Sequence, residues 1–291
     1  MNKTTFTDKY EYIEEEAVAN GGYGQIYRIR DKKVKTEYVQ KKLRKEDLEN
    51  NIPGTDQQSF ENELNFLINV KGTNIINIID YYLTDKYYYL ILEKMEGDLS
   101  MMLKKNKNGM SSKLIRKIFS QINSGLKVMI KEGKTHRDLK PSNILYSYVN
   151  DKKDDFILKL GDFGLATDLV ETQTASNAGT DLFKAPEIEE GRYSNECDLY
   201  SIGIILYMLK TGEYIFEGKT RFEILKNKNE NKFNKDTDDE KLNCLIKKLV
   251  VVDPHKRLKW DEYFEDTFFK VNDDDINENE DCKYKILNFI R

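Results

Sequence analysis

Asp138, Lys140 and Asn143 stand together in the run His136-Arg137-Asp138-Leu139-Lys140-Pro141-Ser142-Asn143. A carboxylate at Asp138 can accept or orient the proton of an attacking hydroxyl, and the Lys140 ammonium can set positive charge beside a phosphoryl group in transfer. The side-chain carbonyl of Asn143 offers oxygen to a hard cation. His136 and Arg137 read as supports, one packed inside and the other facing an acidic or phosphorylated segment. Farther on, Asp162 lies in Lys159-Leu160-Gly161-Asp162-Phe163-Gly164, a free carboxylate poised to hold Mg²⁺ against phosphates. The phosphates need donors of their own. The glycines in Val18-Ala19-Asn20-Gly21-Gly22-Tyr23-Gly24-Gln25-Ile26 would let backbone N–H groups approach phosphate oxygens closely. A glycine-rich turn or a lone His-Arg-Asp is commonplace, so the weight lies in the number of matched residues and in their order.

The elements that must position these groups are legible from periodicity. Tyr10-Glu11-Tyr12-Ile13 and Gln25-Ile26-Tyr27-Arg28-Ile29-Arg30 alternate apolar with polar and predict strands on either side of the glycine cluster. Tyr38-Val39-Gln40-Lys41-Lys42-Leu43 predicts a further strand. After the break at Pro53-Gly54, Thr55 and Gln58 form a capping-box pattern, and Phe60, Leu64, Leu67 and Ile68 share one helical face with Glu63 at its edge. Leu114, Ile118, Ile122, Leu126 and Met129 predict an amphipathic helix that delivers the Asp138 segment, and the run from Asp198 to Leu209 is apolar nearly all round, as a buried helix would be.

These motifs, in this order, resemble the eukaryotic protein kinases, whose catalytic-loop signature is H-R-D-L-x-x-x-N. Lys-Pro-Ser before Asn143 resembles the serine/threonine branch. The resemblance implies an α+β, bilobal fold, with a small antiparallel-sheet N-lobe carrying one key helix and a larger, mainly helical C-lobe. It would span residues 10–269, with the N-lobe at about 10–94, a hinge at about 93–98 and the C-lobe at about 98–269. The implied reaction is transfer of the γ-phosphoryl group of Mg·ATP to Ser or Thr hydroxyls of protein substrates.

By the same resemblance, Lys41 holds the α- and β-phosphates and pairs with Glu63, while Thr180 bonds the catalytic Asp and Lys. Val18 through Ile26 cover the phosphates. Val39, Leu92 as gatekeeper, and Leu145 line the adenine pocket, where backbone groups of Glu93 and Met95 meet the adenine edge and Asp98 takes the ribose hydroxyls. Asn143 and Asp162 ligate the metal, Asp198 caps the catalytic-loop backbone, and Arg257 pairs with Glu187. Ala19 replaces the first glycine of the family's loop, and Val39 is bulkier than the usual Ala. Ser176, then Thr174, are the candidates for activation by autophosphorylation or an upstream kinase, although Thr167 and Ser59 stand where relatives often add basic residues. Ser142 and Met208 replace the acidic pair of Arg-requiring kinases, which implies substrates neither proline-directed nor strictly basophilic, with Leu182 and Phe183 shaping an apolar subsite.

A length of 291 residues and a formal charge of −4 suit a folded chain with no basic field for nucleic acid. The three separated cysteines, Cys197, Cys244 and Cys282, read as reduced thiols. No signal-peptide pattern or run long enough to span a bilayer is present, so a cytoplasmic or nuclear location without membrane insertion is expected. The acidic, Asn-rich run at 272–281 is expected to stay solvated, and 283–291 to form either a short amphipathic helix or a frayed end. Two other readings share the lobes. A scaffold without catalysis would be favoured by loss of Lys41, Asp138 or Asp162, all of which are present, and a small-molecule phosphotransferase has no need of the Gly179-Thr180 and Ala185-Pro186-Glu187 peptide platform.

Overall fold

The computed structural model describes residues 5–21, 24–45, 57–151, 155–168, 182–189 and 195–270. The expected capping box at Thr55, the hairpin tip Gly22-Tyr23, Thr180, Thr174, Ser176 and the acidic tail lie outside those residues.

In the first lobe, a short helix α1 (Phe6–Lys9) leads into β1 (Tyr10–Tyr12), β2 (Ala19–Gly21), β3 (Gly24–Asp31) and β4 (Glu37–Arg44). Helix α2 (Gln57–Asn69) follows, then β5 (Ile78–Leu83) and β6 (Tyr87–Glu93). The strands form one antiparallel sheet in the order β1-β3-β4-β6-β5, with β2 folded back on β3. Strand alternation divides β4 between two environments. Val39, Lys41 and Leu43 face the cleft and α2, whereas Tyr38 and Gln40 face the opposite side, where Phe6, Tyr10, Ile29 and Ile91 pack.

Helix α2 corrects the face read from its sequence. Ile68 is 41% exposed, while Phe66 at 4% and Glu63 at 2% are buried with Phe60, Leu64 and Leu67. The inward stripe is broad because α2 lies between two partners, the sheet on one side and the second lobe on the other. Phe60 and Leu64 pack on the sheet, and Phe66 and Leu67 belong to the large core cluster of the second lobe.

The second lobe begins at β7 (Gly97–Asp98), α3 (Leu99–Lys105) and α4 (Ser112–Lys131), the last capped by Ser111. Then come β8 (Lys134–Thr135), β9 (Ile144–Tyr148), β10 (Phe156–Leu160) and β11 (Thr167–Asp168). Helices α5 (Pro186–Glu189), α6 (Cys197–Thr211), α7 (Arg221–Asn229), α8 (Glu240–Leu249) and α9 (Trp260–Phe264) complete it. Strand β7 pairs with β9 in the order β10-β9-β7, so Gly97 and Asp98 belong to the second lobe and the free crossover is shorter than the sequence suggests. Helix α6 is buried on nearly every side, as its apolar run implies, and Arg257 makes a bidentate pair with Glu187 at 2.6 and 3.0 Å beside it.

Glycine is required where α4 passes the linker between α2 and β5. A Cβ on Gly125 would sit 2.7 Å from the Asn74 carbonyl oxygen, so no larger residue permits this approach without backbone movement.

Candidate active site

The expected residues converge on a cleft between the lobes. It measures about 400 Å³ and is lined by Ile26, Val39, Leu92 and Leu145 as apolar walls, with Lys41, Glu63, Asn143 and Asp162 at one end. That size and mixture suit a small polar ligand with one flat apolar part.

Lys41 comes from the centre of β4 and Glu63 from the buried face of α2. Their side chains meet at 2.5 Å, and Lys41 Nζ also donates to Asp162 Oδ1 at 3.2 Å. Burial pushes the Glu63 carboxyl up, with Lys41 opposing that shift. Burial acts the same way on Asp162, but there the Lys41 charge and hydrogen bond win and hold the carboxyl below its ordinary value. Burial lowers Lys41, and the two carboxylates more than restore it, so it stays a firm cation.

The catalytic loop is fixed from below. Asp198, in the first turn of α6, accepts the backbone N–H groups of His136 and Arg137, each at 2.7 Å. Burial raises the Asp198 carboxyl, and these two backbone hydrogen bonds oppose that shift. Arg137 takes a φ of 68° and Asp162 a φ of 61°, a left-handed conformation that costs a side-chain-bearing residue free energy and persists only where the surroundings impose it. His136 Nε2 donates to the Gly161 carbonyl at 3.1 Å, and its Nδ1 accepts from the Asp138 N–H at 3.4 Å, so the ring ties the two loops together. Phe163 stacks on Phe66 with centroids 4.1 Å apart and lies 5.1 Å from the His136 ring. Thus α2, the Asp162 loop and the catalytic loop share one aromatic contact line.

Within the loop, Lys140 Nζ lies 2.6 Å from Asp138 Oδ2, and Asn143 Nδ2 donates to the Asp138 carbonyl at 2.8 Å and to Oδ2 at 3.0 Å. With its nitrogen so used, Asn143 has its oxygen left for a cation. Asp162 supplies a second hard donor on the same cleft, and this oxygen pair fits Mg²⁺, which takes few protein ligands and completes its shell with phosphate and water.

The structure narrows which groups are left for the adenine and ribose expectations. The Glu93 N–H is spent on the Asn77 carbonyl at 3.1 Å, so of its backbone groups only the carbonyl is left for a base edge. Its carboxylate accepts from the Asn77 N–H at 2.7 Å and from Lys159 Nζ at 2.6 Å. The Met95 N–H has no internal acceptor among the described residues, and Glu96 and Gly97 complete this side of the cleft. Asp98 lines the cleft, but its Oδ1 caps α3 through Met101 N–H at 3.1 Å and also accepts from the Ser100 hydroxyl, leaving Oδ2 for a ribose.

Of the glycine cluster, the backbone of Ala19, Asn20 and Gly21 pairs with Ile26, Gln25 and Gly24 across the hairpin. Gly24 has φ 132°, and a Cβ there would lie 2.5 Å from the Lys42 carbonyl oxygen, so its first requirement is packing against β4. Val18 is 47% exposed, and Gln25 is also exposed. Residues 22–23 and Thr180 lie outside the described residues. Sequence reasoning missed Ile76 and Gly161 as lining residues and Phe66 as the partner of Phe163. Only the glycine, standing next to Asp162, carried a readable signal.

The family model for the protein kinase domain matches residues 12–269, and the chain belongs to that family. Calcium-dependent protein kinase 4 of Plasmodium falciparum (isolate 3D7) is 30% identical over 277 residues, 93% of this chain and 51% of that protein. The protein of the same name from Plasmodium berghei (strain Anka) is 31% identical over 257 residues, 86% of this chain and 47% of its own. The serine/threonine-protein kinase ATG1c of Arabidopsis thaliana is 31% identical over 267 residues, covering 89% and 35% respectively. The chain therefore spans about half or less of the length of these relatives.

Proposed function

We propose that this chain is an active serine/threonine protein kinase that transfers the γ-phosphoryl group of ATP to Ser or Thr hydroxyls of protein substrates. The observation that carries the reading is the convergence of Lys41, Glu63 and Asp162 by direct contacts in one cleft, with Asn143 lining that cleft and bonded to Asp138. In the reaction the substrate hydroxyl oxygen forms a bond to the γ-phosphorus as the bond from that phosphorus to the bridging oxygen breaks and ADP leaves. Asp138 orients the hydroxyl and accepts its proton, and Lys140 sets positive charge beside the transferring group. Lys41, held by Glu63, positions the α- and β-phosphates, while Asn143 and Asp162 would hold Mg²⁺. When bound, the ion neutralises phosphate charge. Catalysis is then positioning and electrostatics, in keeping with a loose transition state.

Substrate choice follows from the platform beyond the loop. The Phe183 carbonyl accepts from the Ser201 hydroxyl at 2.8 Å, the Leu182 carbonyl accepts from the Tyr214 hydroxyl, and the Phe183 and Tyr214 rings meet edge to face at 6.4 Å. This anchored apolar surface supports a preference for an apolar residue after the target.

Phosphate transfer from labelled Mg·ATP to a Ser/Thr peptide library tests the reading. Asp138→Asn and Asp162→Asn are each expected to lose at least about 100-fold in kcat while keeping the wild-type circular dichroism spectrum. Near-wild-type turnover by either variant would remove that residue from its role. In the same assay, Ser176→Ala and then Thr174→Ala are the variants expected to lower activity, by removing a phosphate that Arg137 would grip, and unchanged rates in both would exclude that switch.

A further inference from the structure

Helix α1 (Phe6–Lys9) lies before residue 12, where the match to the kinase family begins, so its packing is an addition of this chain. So short a helix cannot hold itself by its own hydrogen bonds, and α1 is ordered by what it docks on. Phe6 is buried against the outer face of the first-lobe sheet. Its ring stacks on Tyr89 of β6 with centroids 5.3 Å apart, lies 5.6 Å from Tyr10 of β1 and meets Tyr82 of β5 edge-on at 5.9 Å. Tyr10 in turn meets Tyr38 of β4 edge-on at 6.1 Å. A bulge between Ile78 and Asp80 brings Asp80 to this face, where it accepts from Lys9 Nζ at 2.8 Å and from the Tyr82 hydroxyl at 3.0 Å. Lys32, just after β3, closes the other side. Its N–H donates to the Lys9 carbonyl at 2.9 Å and its Nζ to the Thr7 carbonyl at 2.6 Å.

The same face buries Gln40, which stands between Tyr27 and Ile91 in the register of the sheet. Gln40 is 0% exposed, and neither its amide nitrogen nor its oxygen makes a hydrogen bond among the described residues; the Tyr12 hydroxyl stands near it without bonding geometry. An unmet buried amide costs free energy that hydration would return, so the closed packing of this face is opposed from within. We propose that α1 is a reversible latch that positions the nucleotide-binding strands. The strands it joins carry cleft residues on their other face, Val39 and Lys41 on β4 and Leu92 on β6. With α1 closed, β4 and β6 keep the spacing in which Lys41 reaches Glu63 and Asp162. With α1 open, these strands lose their outer packing and nucleotide binds less tightly. The inference rests on the assignment of this cleft to ATP.

Calorimetric titration of the full chain with Mg²⁺ and a non-hydrolysable ATP analogue, paired with amide hydrogen exchange at Asp8, Tyr10 and Lys32, tests the coupling. Those N–H groups bond the carbonyls of Thr5, Phe6 and Lys9, so their exchange reports the docking of α1. Phe6→Ala is expected to raise the Kd of the analogue about tenfold. Because such coupling is reciprocal, saturating analogue should slow exchange at these amides in the wild-type chain by a similar factor, which a purely structural role of α1 would not produce. Gln40→Leu, which removes the unmet amide, is expected to slow the same exchange about tenfold without nucleotide. It should leave the Kd within about twofold of wild type, because the latch is already mostly closed. Gln40→Leu and the wild-type exchange decide the matter if Phe6→Ala does not fold. An unchanged Kd in Phe6→Ala, exchange no slower in Gln40→Leu, or tight binding by the wild type with unchanged exchange at α1 would each overturn the latch while leaving the ATP site standing. A wild-type chain that does not bind the analogue would remove the ATP assignment and the latch with it.

Discussion

Asp198 accepts the backbone N–H of Arg137 at 2.7 Å, and Arg137 holds a φ of 68° in a loop that carries Asp138. A buried carboxylate on the most enclosed helix thus enforces a backbone conformation that the residue type disfavours. Asp198→Ala removes the acceptor of both the His136 and Arg137 N–H groups and leaves two buried donors unmet. We expect a loss of about 2–5 kcal/mol in unfolding free energy and a larger proportional loss in kcat than in either KM. Urea denaturation and steady-state kinetics on the same preparation would check this, and a stable variant with wild-type kcat would contradict it.

Arg257 and Glu187 form a pair that is almost wholly enclosed, with side-chain exposures of 0% and 6%. Arg257 also donates to the carbonyls of Val251 and Glu196, so it joins α5, the start of α6 and the segment after α8. Arg257→Ala would strand the Glu187 carboxylate and is expected to cost about 3–5 kcal/mol. Arg257→Met with Glu187→Leu, which removes both charges, should cost much less in thermal unfolding than either change that strands one partner. Equal losses in the single and double variants would show that the cost is packing alone.

Glu37 gathers Lys94 at 2.7 Å, Arg30 at 2.9 Å and Arg28 at 3.4 Å, and these bonds hold its carboxyl down at about 2. A carboxylate depressed on folding contributes stability above its unfolded value and loses it as pH falls through the folded value. The stability gap between wild type and Glu37→Gln should therefore be full at pH 7 and shrink as pH falls from about 4.5 towards about 2. Because Glu37 lies near the surface, the gap is expected to be small and to narrow at high salt. Urea midpoints for both proteins at pH 7 and pH 3.5, at two ionic strengths, would measure it. A gap that widens on acidification would contradict the ion-pair origin.

Much of the site was legible in the chain because the relevant geometry is local. Asp138, Lys140 and Asn143 lie in one tight loop, and the contacts among them, 2.6 Å from Lys140 and 3.0 Å from Asn143, follow from spacing once the loop turns. The strand alternation that places Lys41 opposite Gln40 is likewise a property of the chain. So is the apolar character of α6, which can be buried on all sides because hardly any of its side chains requires water.

Other features depended on which surfaces met. The sequence could not rank Phe66 above Ile68, because both are apolar and adjacent to the same helical stripe. Contact with Phe163, far along the chain, drew one inward and left the other 41% exposed. Glu63 looked like an edge residue until Lys41 supplied the charge and hydrogen bond that make its burial tolerable. The same holds for Glu93 and Asp98, whose residue types suit a ligand but whose hydrogen-bonding capacity is partly taken by Asn77, Lys159 and the first turn of α3. A hydrogen-bonding group has few places to give. Residue type and spacing determine which groups can do chemistry, while the tertiary structure decides which of them are already engaged, because long-range neighbours compete for the same lone pairs and protons.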